Sequence, residues 1–122
     1  MALKVETSVE NGVVLLDLAG RLWILDLPLQ KVIHALLAQQ RHHFVLDLAD
    51  VNYIDSSGLG QLIAIWVSSM KRGGYLTVVN PTKRVRRLFA ITKLDTIFDI
   101  FEDRDEALAF TRNRTKGEAK HL

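Results

Sequence analysis

Asp55-Ser56-Ser57-Gly58-Leu59-Gly60 is the segment in which residue types and spacing could do chemistry. Two adjacent hydroxyls and two glycines lead into an apolar stripe of helical spacing. The serines therefore fall at the expected N-cap of a helix, where N–H groups point outward unpaired and the dipole favours negative charge. A phosphate on Ser57, or on its neighbour Ser56, would bring roughly −1.5 to −2 charges and three acceptor oxygens to that end, changing the surface more than the fold. The same six residues also read as a plain helix cap on Ser56 or Ser57 with glycines permitting a tight turn. The residues alone leave both readings open.

Other chemistry fits less well. A serine nucleophile on a strand-to-helix elbow needs glycines two before and two after it, and Asp55 occupies the first of these positions. No lysine follows the glycines as a phosphate loop requires. Asp47, Asp50 and Asp55 crowd one strand and its exit; capping and turn formation account for Asp50 and Asp55, and Asp47 reads as a satisfied edge or strand-end carboxylate. His42 and His43 would point to opposite faces of a strand, and His34 and His121 are scattered, so no metal site and no cofactor are expected. Lys83, Arg84, Arg86 and Arg87 form a basic patch opposite Val85, Leu88 and Phe89. The patch is either a solvated face, the commonest meaning, or a contact for an acidic protein surface, nucleic acid or anionic lipid.

The elements that must hold this segment follow from periodicity. Leu3, Val5, Thr7 and Val9 alternate with polar residues, Asn11-Gly12 supplies a turn, and Val13–Leu18 returns: a β-hairpin. An extended piece from Arg21 to Ile24 leads to Asp26 as candidate N-cap and to Pro28 in the first turn of a helix. That helix runs to about Gln40 and buries Leu29, Val32, Ile33, Leu36 and Leu37. Phe44–Leu48 is nearly continuous in apolar residues, the pattern of a strand covered on both faces. Asn52 to Gly60 is then the junction, at the strand's carboxyl end where sites gather in such sheets. Leu59, Leu62, Ile63, Trp66 and Met70 define the next helix, stopped by Gly73-Gly74. Tyr75–Val79 is a strand, Asn80-Pro81 starts a third helix, Ile97–Phe101 is a last strand, and Asp103 with Glu106 opens a final helix carrying Ala107, Leu108 and Phe110. The expected fold class is α/β: a mixed sheet, a single layer, with an antiparallel N-terminal hairpin and later strands joined by helices.

With 122 residues there is room for one domain, expected over residues 1–112, followed by a polar, disordered tail at 113–122. Hydrophobic residues at 48% and charged residues at 25% suit a globular core. A net charge of +2, with the basic excess confined to residues 83–122, is too small to argue for direct nucleic-acid binding. Cysteine is absent, which removes disulfides and thiolate chemistry, and no run of about 18 apolar residues occurs. A cytoplasmic protein without stable membrane insertion is expected.

Phe44–Leu48, the hexapeptide Asp55–Gly60, Gly73-Gly74 before a strand, and Val85-Arg86-Arg87-Leu88-Phe89 with a following Leu94 together resemble the STAS domain of anti-sigma factor antagonists. The resemblance spans nearly the whole chain, and the hexapeptide is its most specific part. It implies a non-enzymatic regulator in which Ser57 is the phosphoacceptor, with Ser56 as the fallback. Its partners would be an anti-sigma factor that doubles as a serine protein kinase, and a protein serine phosphatase that resets the cycle. The partner face would comprise Trp23, Asp55, Ser56, Ser57, Gly58, Leu59 and Gly60. Such members commonly carry an acidic residue three positions after the glycine matching Gly20, where this chain has Trp23, either a core residue or an anchor for a different partner. A STAS subunit of a membrane lipid or anion transport system, with no phosphoserine switch, is the alternative that the resemblance leaves.

Overall fold

In a computed structural model of the chain, residues 3–23 and 28–114 are described. The candidate cap Asp26 and residues 115–122 of the expected tail lie outside the described residues. Strands β1 (Lys4–Glu10) and β2 (Val13–Leu22) form the expected hairpin, with Asn11 (φ 51°) and Gly12 (φ 82°) as its two-residue turn. There follow α1 (Pro28–Ala38), β3 (His43–Ile54), α2 (Ser56–Lys71), β4 (Tyr75–Val79), α3 (Lys83–Ile91), a 3₁₀ turn at Leu94–Thr96, β5 (Asp99–Phe101) and α4 (Arg104–Arg112). The sheet has the order β1-β2-β3-β4-β5, antiparallel at the hairpin and parallel from β2 onward. This is the mixed α/β sheet that the sequence implies.

Alternation along the strands divides the core between two faces. Val14, Leu16, Phe44, Leu46, Leu76 and Val78 meet Leu29 and Ile33 of α1, Leu62 and Ile65 of α2, and Val85 and Phe89 of α3. On the other face Val13, Leu15, Val45 and Val79 meet Ala107 and Leu108 of α4. Covering on both faces explains why Phe44–Leu48 reads as an unbroken apolar run; each such side chain removed from water contributes about 1.5–3 kcal/mol.

The structure departs from the sequence reading in several places. Strand β3 runs on to Ile54, well past Leu48. Its continuation pairs with β2 alone, since β4 pairs only with residues 43–47. The register of β2 against β3 slips between Asp17 and Ala19 and again between Gly20 and Arg21. Gly20 takes φ 117°, a conformation closed to most side chains, and so allows the second irregularity. Buried residues in this stretch fall at Leu48, Val51 and Ile54, a spacing of three that does not look like a strand. Helix α1 stops at Ala38 rather than Gln40, which has φ 63°. Helix α2 buries Gly58, Gln61, Leu62, Ile65, Ser69 and Met70, while Ile63 lies on the exposed side. Its end is the expected glycine stop: the Gly73 N–H donates to the Met70 carbonyl (3.0 Å) and the Gly74 N–H to the Ser69 carbonyl (2.8 Å). Helix α3 is capped by Thr82 and starts at Lys83, not at Asn80-Pro81, and the last strand is shorter than expected. Asp103 caps α4 by accepting from the N–H groups of Asp105 and Glu106.

Asp47 sits in the interior of a strand, buried, not at an edge or strand end. It is satisfied nonetheless: Oδ1 accepts from the Ala49 N–H (2.9 Å) and Oδ2 lies 3.6 Å from Arg104. Arg104 also reaches Asp17 at 3.3 Å, the cross-strand neighbour of Asp47.

Candidate partner-binding site

One residue, Asp55, connects β3 to α2. It is extended (φ −100°, ψ −175°), and its Oδ1 accepts from the Gly58 N–H at 2.8 Å while its carbonyl accepts from the Leu59 N–H at 2.9 Å. Asp55 is therefore the N-cap, which bears out the capping role read for it. The cap expected on Ser56 or Ser57 is corrected: both lie inside the first helical turn. The shift by one residue follows from β3 reaching Ile54, which leaves only Asp55 in the non-helical conformation that a cap requires. The hydroxyls are thus released from capping. Ser56 is exposed and Ser57 half-buried.

The two glycines differ. A β-carbon on Gly58 would stand 2.1 Å from the Leu22 carbonyl oxygen and 2.9 Å from Ile54, so the first turn of α2 is pressed against the end of β2. The Asp55 N–H adds a hydrogen bond to the same carbonyl at 3.3 Å. A β-carbon on Gly60 would meet nothing within 4 Å among the described residues. Gly60 is exposed, and at spacings of three and four residues it shares a helix face with Ser57 and Ser56. A bare glycine inside a helix costs about 1 kcal/mol relative to alanine, and nothing among the described residues requires it here. Leu59 packs partly into the core.

Trp23, one residue beyond Leu22, is half-buried and outside the core clusters. Its ring meets Tyr53 edge-on at 6.4 Å, and the Arg21 guanidinium lies 5.2 Å from the Trp23 ring and 5.8 Å from the Tyr53 ring. Arg21 and Tyr53 are register partners on β2 and β3. Neither was singled out from the sequence as a site residue, because their pairing depends on the two register shifts. The basic side chains of α3 are exposed, as expected, and Arg86 reaches Glu102 at 3.5 Å.

Among the described residues no group of three or more His, Asp or Glu could hold a metal ion. The imidazoles of His42 and His43 do not oppose each other; their rings are 5.2 Å apart, because His42 precedes the strand that begins at His43. His43 Nε2 donates to the Arg114 carbonyl at 2.9 Å. Burial, followed by the charges of His43 and Arg72, holds the His42 pKa below the usual histidine value. No helix among the described residues is long and apolar enough to cross a membrane.

Comparison with known proteins matches this architecture. The STAS domain model matches residues 4–107. The anti-sigma-B factor antagonist of Bacillus subtilis is 32% identical over 100 residues, covering 82% of this chain and 92% of that protein. The anti-sigma F factor antagonist of Paenibacillus polymyxa is 29% identical over 110 residues, covering 88% and 94%. A crystal structure of an anti-sigma factor antagonist from Mycobacterium paratuberculosis superposes with a TM-score of 0.80 at 27% identity, covering 91% of this chain and 95% of that one. The β3–Asp55–α2 junction, the five-stranded mixed sheet and these matches agree: the chain belongs to the STAS domain family, in the company of anti-sigma factor antagonists.

Proposed function

We propose that the chain is a cytoplasmic anti-sigma factor antagonist without catalytic activity, working by phosphorylation-controlled partner switching at Ser57. In the unphosphorylated state it binds an anti-sigma factor that is also a serine kinase, and the sigma factor is freed. Phosphorylation of Ser57 releases the partner, and a protein serine phosphatase restores binding. One observation carries this reading: the Ser57 hydroxyl, freed from capping by Asp55, lies on a first helical turn beside the bare backbone of Gly60. A partner can approach such a surface closely. A dianion forced into that contact, next to the Asp55 carboxylate, at a cost of about 3 kcal/mol would weaken binding more than a hundredfold. Trp23, Leu59 and Gly58 complete the face, Gly58 by holding α2 against β2.

The test is intact-protein mass spectrometry of the chain from its native host across growth and stress conditions, with fragmentation to locate phosphate and Ser57→Ala as control. In parallel, the host's anti-sigma factor kinases are assayed for binding. Phosphate on Ser57, with binding retained in Ser57→Ala and lost in Ser57→Glu, is the expected result. Persistent absence of phosphate, with co-purification on membrane transport components regardless of Ser57, would replace this reading with the transport-subunit one.

A further inference from the structure

Two shallow depressions flank the end of β3 and share Tyr53 and Arg84. The first is lined by Arg21, Trp23, Asn52, Tyr53 and Arg84; the second continues along α3 past Arg87 and Leu88 to Ile91. Among the described residues no acidic side chain lines either one. Arg21, Arg84 and Arg87 form no ion pair among the described residues; the α3 arginine that does, Arg86, turns to Glu102. Apolar surface accompanies the charge: Ile91 is 71% exposed and Tyr53 38%. Arg21 is held beside the Trp23 and Tyr53 rings, which positions its guanidinium for pairing with a carboxylate.

We infer that this surface docks an acidic segment of a protein partner, with a bulky apolar side chain seated between Tyr53 and Ile91 and carboxylates on Arg21, Arg84 and Arg87. Charge complementarity decides the occupant. Three arginines without an ion pair among the described residues, set around exposed apolar residues, match a glutamate-rich peptide with one large side chain. A nucleic acid would need a longer basic stripe and would leave Ile91 unused. The surface begins where the Ser57 site ends, since Trp23 and Tyr53 are adjacent in sequence to Leu22 and Ile54, against which Gly58 packs. The inference deepens the proposed partner-binding reading by giving the partner's chemistry on this side.

The experiment titrates the full chain into a fluorescently labelled peptide of glutamates around one tryptophan, and into two controls, the lysine counterpart and an oligothymidylate. Because it uses unphosphorylated protein and no kinase, it stands or falls independently of the Ser57 switch. The expected result is saturable binding of the acidic peptide, weakened about tenfold or more in Arg84→Glu/Arg87→Glu, and weakened by salt. Ile91→Ser, exposed and remote from the core, should also weaken it, with the melting temperature unchanged. Equal binding by the arginine variant, no saturable binding, or equal or tighter binding of the lysine peptide or the oligonucleotide would overturn the inference.

Discussion

Adding a methyl group at Gly58 and at Gly60 should move stability in opposite directions. At Gly58 the new carbon meets the Leu22 carbonyl at 2.1 Å, a backbone atom that cannot swing away, and Gly58→Ala should cost about 3 kcal/mol or more in urea denaturation. At Gly60 the carbon meets none of the described residues, so Gly60→Ala should stabilise the free chain by about 0.5–1 kcal/mol while weakening partner binding. From the sequence both glycines look like turn formers. What separates them is the approach of Leu22, a contact between residues far apart in the chain. Asp55 was legible as a cap, whereas the serines were misplaced by one residue because the strand before them was read too short. His42 adds a pH signature. Its depressed pKa means that the unfolded chain takes up this proton first as pH falls below the usual value of 6.5. Stability present above that value should decline on acidification and level off beneath the folded-state pKa. Denaturation midpoints at about pH 7.5 and about pH 5.5 should differ less in His42→Gln than in the wild type.

Among the elements, β3 carries the largest gap between sequence and structure. Phe44–Leu48 declares itself by composition, but Ala49–Ile54 looks like a loop because the irregular pairing with β2 changes the inward spacing from two to three. The helices were legible from periodicity. The stripe of α2 was legible at Leu59, Leu62, Trp66 and Met70, and only Ile63 falls outside it, on the exposed side. Asp47 is understood only when α4 is placed: Arg104 serves two neighbouring carboxylates, Asp17 and Asp47, from the helix's first turn. Arg104→Ala leaves those like charges adjacent with one of them buried, and should lower stability by about 1–2 kcal/mol in denaturant titration. Lysine at the same position should recover part of that loss.

At the scale of the molecule, among the described residues three helices cover one face of the sheet and α4 covers the other. Ending the chain before Arg104 would uncover Val13, Leu15, Val45 and Val79 together. The expected outcome on size-exclusion chromatography is a shift of the truncated chain to the aggregate fraction relative to the full chain. The sheet's edges are protected in a different way: β1 presents Lys4, Glu6, Ser8 and Glu10 to solvent, and β5 is three residues long. The hydrogen bond from His43 to Arg114 has a further consequence. His43 opens β3 and Ser57 follows its far end, so Arg114 stands roughly 35 Å from the serines, the length of a strand of this size. A dye, tether or solid support joined after Arg114 would hang from the opposite pole of the sheet. The protein could therefore be immobilised there for single-molecule or surface measurements while its serine end stays open to a partner in solution.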